Sequence, residues 1–294
     1  MSIKSRLQWA IALTFLVLCA EAVGGWLANS LALLSDAAHM FMDVLSLSMS
    51  WLALKLAAQP TSPTKTFGYH RTEIFAGLLN GIFLLAMAAM IFWEAVERSL
   101  NPHPVDTGIM ITVACFGLVT NLVVLMFLKK PVDHHHDLNL KSAWLHVIGD
   151  TLASVAVIVG GTVMYYSGLY WLDSAIAAGV ALLLVWGAKS LVGEAVHILL
   201  EGVPRGVSLK EVKRELNAIP AVKDIHEMHI WCICSNIYAL STHALINDQK
   251  INQTESILLD IRTCLAEKFN ITHSTIQFEA SPCGHSQLSC EIRH

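Results

Sequence analysis

Long apolar runs separated by short polar breaks fill the first two-thirds of the chain. Crossing a bilayer as an α-helix takes about 20 predominantly apolar residues. Six runs reach that length, at 7–28, 31–57, 74–98, 108–128, 142–166 and 172–200, and each predicts a membrane-spanning helix. Past residue 204 the pattern changes. Residues 208–219 follow Pro204 and Gly206 and read as an amphipathic helix. The stretches 223–232 and 236–246 are rich in β-branched and aromatic residues and break at Ser235-Asn236, which predicts a hairpin. A second helix is expected over 253–269 and a third strand over 274–279. The predicted fold is therefore an α-helical membrane protein, six transmembrane helices followed by a C-terminal cytosolic α+β domain of αββαβ order.

Composition agrees with this. Of 294 residues, 54% are hydrophobic and 14% are charged, against about 25% charged in a typical soluble domain. The net charge of −4 comes with no broad basic field, so no nucleic-acid partner is expected. Lysine and arginine set orientation in the lipid bilayer. Lys4 and Arg6 precede the first span, Lys55, Lys65 and Arg71 flank the second connection, and Lys129, Lys130 and Lys141 flank the fourth. The first and fifth connections carry none and the third has Arg98 alone. Both termini are expected in the cytosol, with the chain multi-pass in the cell (inner) membrane. The start of the chain, through Ala20-Glu21-Ala22, also has the form of a cleavable signal peptide, but the apolar run continues to Ala28, so an uncleaved first span is expected. The seven cysteines (Cys19, Cys115, Cys232, Cys234, Cys264, Cys283 and Cys290) are odd in number, and two lie inside apolar runs. Reduced thiols fit this better than a disulfide framework.

The informative residues are the polar ones inside the spans. His39 and Asp43 lie in the second, His146 and Asp150 in the fifth. Residues four apart share a helix face, so each pair is a two-ligand clip. An ionisable residue within a membrane helix is unfavourable and by default marks a functional path. Both clips belong to a Ser-x-x-x-His-x-x-x-Asp pattern, Ser35-His39-Asp43 and Ser142-His146-Asp150, in spans that cross in opposite directions. Inverted repeats of this kind place ligands at one depth near the midplane. Two aspartates balance a divalent ion and two imidazoles complete a tetrahedral shell, which suits Zn²⁺. Mg²⁺ and Ca²⁺ prefer oxygen alone, and the lack of sulfur ligands argues against Cu⁺. Without metal, two negative charges in a low dielectric draw protons, and entering metal expels them. Protons are thus the expected coupling ion. No His-Glu-x-x-His motif is present and no Gly-x-x-x-x-Gly-Lys-[Ser/Thr] loop, so neither a metalloenzyme nor ATP coupling is expected.

Leu34-Ser35-Asp36-Ala37-Ala38-His39-x₃-Asp43, Phe67-Gly68-Tyr69-His70-Arg71-x-Glu73, His146-x₃-Asp150, Leu199-Leu200-Glu201-Gly202-Val203-Pro204 and His229-Ile230-Trp231 together resemble the cation diffusion facilitator family, in particular its zinc-transporting branch of bacterial zinc/proton antiporters. The resemblance implies a homodimer that moves divalent metal, mainly zinc, out of the cytosol in exchange for protons. It implies a transport domain over 1–204, a cytosolic metal-binding dimerisation domain over 205–280 and a Cys/His-containing tail over 281–294. It also implies a cytosolic zinc site at His226, His243, His273 and Glu279. Some members carry a further site near the second connection. Here Tyr69 stands where a ligand would be and only His70 is nearby, so a full site is not expected.

Other metal-binding side chains fall into place around this reading. Cys232 and Cys234, two apart on a strand, should face the same way, as small buried hydrophobes more than as ligands. Cys283 and Cys290, with His285 and His294, are candidates for a second zinc site in the tail, and Asp133-His134-His135-His136-Asp137 for a metal-collecting loop. Glu21, Asn80 and Asn121 are expected to hydrogen-bond between helices, and Asp36 to orient His39. A membrane metal sensor or metal-binding protein without transport is the alternative reading. Zinc flux in sealed vesicles separates the two.

Overall fold

The computed structural model describes residues 3–134, 138–234 and 237–281, with side chains over 13–126, 147–234 and 237–281. Six long helices come first: α1 (Ile3–Ala28), α2 (Leu31–Ala57), α3 (Thr72–Leu100), α4 (Thr107–His134), α5 (Leu138–Ser167) and α6 (Trp171–Leu199). Among the described residues, five helices are long and apolar enough to cross a membrane, and α1 adds the shorter apolar stretch Leu13–Ala28. Helix is what a spanning segment must form, because lipid offers no partner to a bare backbone N–H or C=O. Then come α7 (Leu209–Asn217), β1 (Val222–Cys234), β2 (Ile237–Ile246), α8 (Ile251–Phe269) and β3 (Ile271–Glu279), the αββαβ order read from the sequence.

The chain forms two compact units, one of the residues up to Ser48 with Leu79–Ser190, the other of Met49–Leu78 with the chain from Leu191 onward. In the first, Ala88 and Ala95 of α3 meet Ala177 and Ala181 of α6, around Leu31 and Leu184. A second cluster joins Ala32 and Leu33 to Met110 and Ala114 of α4 and Val157 and Met164 of α5. Small residues dominate these contacts because lipid gives helices no hydrophobic reason to associate, so close backbone approach must supply the attraction. Gly24 of α1 shows how close: a Cβ there would meet Val113 of α4 at 2.5 Å. Large side chains point the other way. Trp26, Met90, Trp93, Leu183 and Trp186 are all exposed on the helices, which suits lipid and not water.

In the second unit a three-stranded sheet runs in the order β1-β2-β3. β1 and β2 pair antiparallel, while β2 and β3 pair parallel, so α8 is the crossover that parallel pairing requires. Val212 and Leu216 of α7 and Ile257, Ile261 and Leu265 of α8 cover one face of the sheet, against Ile225, Ile230, Leu240, Ala244 and Ile246. Strand alternation sends Ser241 and His243 of β2 to the opposite face. On β1 the ladder slips between His226 and His229, where Glu227 takes a left-handed φ of 47°. Asn270, φ 55°, closes α8 in the same left-handed region, a conformation that asparagine tolerates better than most side chains.

Candidate metal centres

On α2, His39 and Asp43 lie one turn apart with Nε2 and Oδ2 3.8 Å from each other, both about one-third exposed. Asp150 lies half-buried on α5, and the His146 side chain lies outside the described residues. Ser35, which completes the repeat on α2, is buried and donates to the Leu31 carbonyl at 2.7 Å, so its part is local.

A residue that the spacing argument missed anchors α2. Asp173, at the start of α6, is 1% exposed. Its carboxylate accepts from Ser30 Oγ (2.6 Å), Leu31 N (2.6 Å) and Ala32 N (3.3 Å). It thus takes up the orphan N–H groups at the N-terminus of α2, where negative charge is also favoured by the helix dipole. Beside it Arg98 donates to the Asn29 carbonyl at 2.9 Å and to Glu94 at 2.7 Å. The signal in the sequence was an acid in the first turn of a span, which reads equally well as a flanking charge.

Glu21 of α1 and Asp36 of α2 are both buried. Glu21 lies against Gly117 of α4, where a Cβ would meet Oε1 at 2.9 Å and Ser154 Oγ at 3.6 Å. Glu21 Oε2 and Asn80 Oδ1 find no hydrogen-bond partner among the described residues. The helix–helix bonds expected of Glu21 and Asn80 are therefore not made at these two atoms.

The C-terminal sheet gathers three of its four expected ligands. His226 and His243 are direct partners across β1 and β2, with ring centroids 5.5 Å apart. Glu279, at the end of β3, bridges them: its Oε2 is 3.2 Å from His226 Nε2 and its Oε1 is 2.8 Å from His243 Nδ1. The first contact is a hydrogen bond; the second is an ion-pair approach off hydrogen-bond geometry, since His243 Nδ1 makes none. Glu227 reaches His243 Nε2 at 3.6 Å from the slipped stretch of β1. Ligand atoms of His226, His243 and Glu279 lie within 4.8 Å of one another. Two imidazoles and one carboxylate give a three-ligand metal set with a fourth position open. His273 is not brought to it. It shares Glu279's face, but six residues along a strand separate them by about 20 Å, and its ring meets the edge of Phe67 at 6.4 Å.

A second group of donors was not foreseen. One ligand atom each of His70, Glu73 and Cys234 lie within 4.8 Å of one another. His70 and Glu73 are three apart, in the turn that leads into α3, where Glu73 N donates to the His70 carbonyl at 3.3 Å. Cys234 ends β1, buried. The ladder shifts register between Cys232 and Cys234, so the two thiols do not simply share a face as two-residue spacing suggests. Cys232 donates instead to the Cys234 carbonyl at 2.7 Å, and burial, with Cys234 and Glu194 nearby, pushes its thiol up to about 11. Cys283, His285, Cys290 and His294 and the side chains of the His134–His136 tract lie outside the described residues.

Several membrane-spanning helices and a small sheet with clustered imidazole and carboxylate groups describe a multi-pass membrane protein that handles metal cations. The profile for the cation efflux transmembrane domain matches residues 7–200, and that for the cytoplasmic domain of cation efflux proteins matches 204–281. The chain belongs to the cation efflux family, the family its motifs resemble, whose members are transporters and not enzymes. It is 40% identical over 280 residues to the metal cation efflux system protein CzcD of Cupriavidus metallidurans, covering 95% of this chain and 88% of that one. To the cadmium, cobalt and zinc/H(+)-K(+) antiporter of Bacillus subtilis it is 40% identical over 266 residues, 90% and 85% of the two chains. The zinc transporter ZitB of Escherichia coli is 34% identical over 279 residues, 95% and 88%. Among solved structures, the metal-bound C-terminal domain of the CzcD transporter of Cupriavidus metallidurans is 41% identical, covering 25% of this chain and 99% of that one, with a TM-score of 0.23.

Proposed function

We propose that this chain exports zinc from the cytosol, in exchange for protons, through a site formed by His39, Asp43, His146 and Asp150. The observation that carries the reading is the His39–Asp43 clip, one turn apart and only partly exposed on an apolar helix, repeated in sequence by His146 and Asp150. Two carboxylates neutralise Zn²⁺ and two imidazoles complete its shell without ordering extra water. Release of the metal leaves two negative charges in a medium that penalises them. Protons answer that penalty, so each cycle carries them the opposite way. Relatives named as a zinc transporter and as a cadmium, cobalt and zinc/H(+)-K(+) antiporter support the same cargo and coupling.

In this reading residues 1–204 form the transport domain and 205–280 a cytosolic domain that binds metal and holds two copies together, with His226, His243 and Glu279 as its ligands and both termini in the cytosol of an inner-membrane protein. The test is zinc uptake into everted vesicles. An acidic lumen should drive uptake, a protonophore should abolish it, and Asp43→Ala or Asp150→Ala should reduce it to background at equal expression. Uptake indifferent to the pH gradient would remove the antiport; near-normal flux in either variant would remove the site.

A further inference from the structure

Within the second unit lies an open cleft of about 1130 Å³, lined by the connection between α2 and α3, the end of α6 and the middle of β1. An ion needs far less room; a drug-sized molecule fills about 300–1,000 Å³. We propose that this cleft binds an anionic phospholipid, with the phosphate on Lys65 and Arg71 and the glycerol and upper acyl chains against its apolar residues.

Depth is the first argument. α3 starts at Thr72 and α6 ends at Leu199, and both are long and apolar enough to cross a membrane. Phe75 and Leu200 line the cleft, so it opens at the ends of two spans, the level at which lipid headgroups sit. The lining chemistry is the second. The connection contributes the hydroxyls of Thr64, Thr66 and Tyr69 and the cations of Lys65 and Arg71, which are donors suited to a phosphate. β1 contributes Ile230, Trp231 and Ile233. Phe67 is 56% exposed and Leu200 77%, an apolar surface outside the spans that water disfavours and lipid covers.

Charge is the third argument. Glu201 is the carboxylate that lines the cleft, and it pairs with Arg71 at 3.3 Å. The exposed ammonium of Lys65 is left as the uncompensated charge. Its position is set by a closed turn: Ser62 and Lys65 exchange backbone hydrogen bonds of 3.2 and 3.0 Å, and Gly68 N donates to the Lys65 carbonyl at 2.9 Å. A free phosphate would leave the apolar residues bare, and a zwitterionic lipid would bring its own cation to a positive rim. An anionic phospholipid satisfies both, as basic pockets beside the ends of membrane helices do.

The experiment titrates the full-length protein in neutral detergent with phosphatidylglycerol and, separately, with phosphatidylcholine of the same acyl chains, counting bound lipids by native mass spectrometry. Each chain should hold one phosphatidylglycerol at least about tenfold more tightly than phosphatidylcholine. Lys65→Gln should weaken that binding about fivefold, the effect of one basic residue beside anionic lipid. Phe67→Ser should weaken both lipids. Lys223→Gln removes the same charge from an exposed position near the start of β1 and should change neither. Equal affinity for the two lipids overturns the proposal, as does a Lys65→Gln titration that matches the parent or the Lys223→Gln one. Release of the phosphatidylglycerol by excess inorganic phosphate would make this an ion site and also overturns it. A shift of the monomer–dimer balance in Lys65→Gln or Phe67→Ser with unchanged lipid binding would assign the cleft to a second copy, against the proposal. If Phe67→Ser does not fold, Lys65→Gln decides alone. No readout depends on flux, so the result stands apart from the transport reading.

Discussion

At the scale of single residues, the balance of nitrogen and oxygen in the proposed transport site should decide which ions are accepted. His39 faces Asp43 at 3.8 Å, both about one-third exposed, on α2. Replacing its imidazole by a carboxylate makes the shell richer in oxygen, which suits harder or larger ions. His39→Asp should therefore raise Mn²⁺ and Cd²⁺ transport relative to Zn²⁺ in competition assays, and an unchanged metal order would show that His39 does not touch the cargo. As candidates, His39 and Asp43 stand out because an ionisable side chain in a twenty-residue apolar run is conspicuous on its own. His70, Glu73 and Cys234 were not legible together, since nothing at sequence separations of this size announces a contact. His273 illustrates the opposite case. Its distance from Glu279 follows from strand rise alone, and six residues on one strand are too many for two ligands of one ion.

Elements matter here through their ends. The N-terminus of α2 is tied to α6 by the buried Asp173 carboxylate, which accepts three bonds from Ser30, Leu31 and Ala32. Removing it strands donors that lipid cannot satisfy. Asp173→Ala should lower stability in detergent by about 1–3 kcal/mol and reduce transport by loosening the helix that carries His39 and Asp43, while Asp173→Asn should recover part of both. Equal thermal unfolding of parent and Asp173→Ala would contradict this. In the C-terminal domain, Lys213 of α7 is 2.8 Å from Asp224 of β1. Burial, the largest single influence, would raise the Asp224 carboxyl, but the Lys213 ammonium together with hydrogen bonds from Ile225 N–H and Asn217 holds the group below its ordinary 3.8. The contribution is whole above that value, which describes the unfolded chain, and fades as pH falls through the lower folded one. A partly exposed pair of this kind contributes at most about 1 kcal/mol. Lys213→Met should therefore lower the domain's stability by up to about that amount near neutrality, the gap closing in acid below pH 3.8; a gap that persists there would point to lost packing instead. Element order and type were readable from periodicity, and the observed helices end close to the predicted ones. The parallel pairing of β2 with β3 was not, because alternation along a strand carries no information about its neighbour's direction.

For the whole molecule, the decisive question is what metal does to the C-terminal domain. His226, His243 and Glu279 occupy the sheet face that α7 and α8 leave uncovered, on a domain matched by the cytoplasmic-domain profile of cation efflux proteins. A cation that binds only the folded, paired form stabilises it by mass action, about 2.7 kcal/mol at a hundredfold excess over its dissociation constant. Residues 205–294 expressed alone should accordingly form a soluble dimer whose dissociation constant falls and whose unfolding midpoint rises with zinc. His243→Ala should remove most of both effects, since it deletes one of two imidazoles bridged by a single carboxylate. If zinc on this domain also promotes transport, the same substitution in the intact chain should blunt that activation yet leave flux at high zinc, because the proposed transport residues lie on α2 and α5. Sedimentation and denaturation of the fragment, paired with vesicle flux of the full chain, separate the outcomes. A fragment indifferent to zinc would remove the cytosolic site from the proposal. Flux abolished by His243→Ala as fully as by Asp43→Ala would move the histidine from regulation into the transport path.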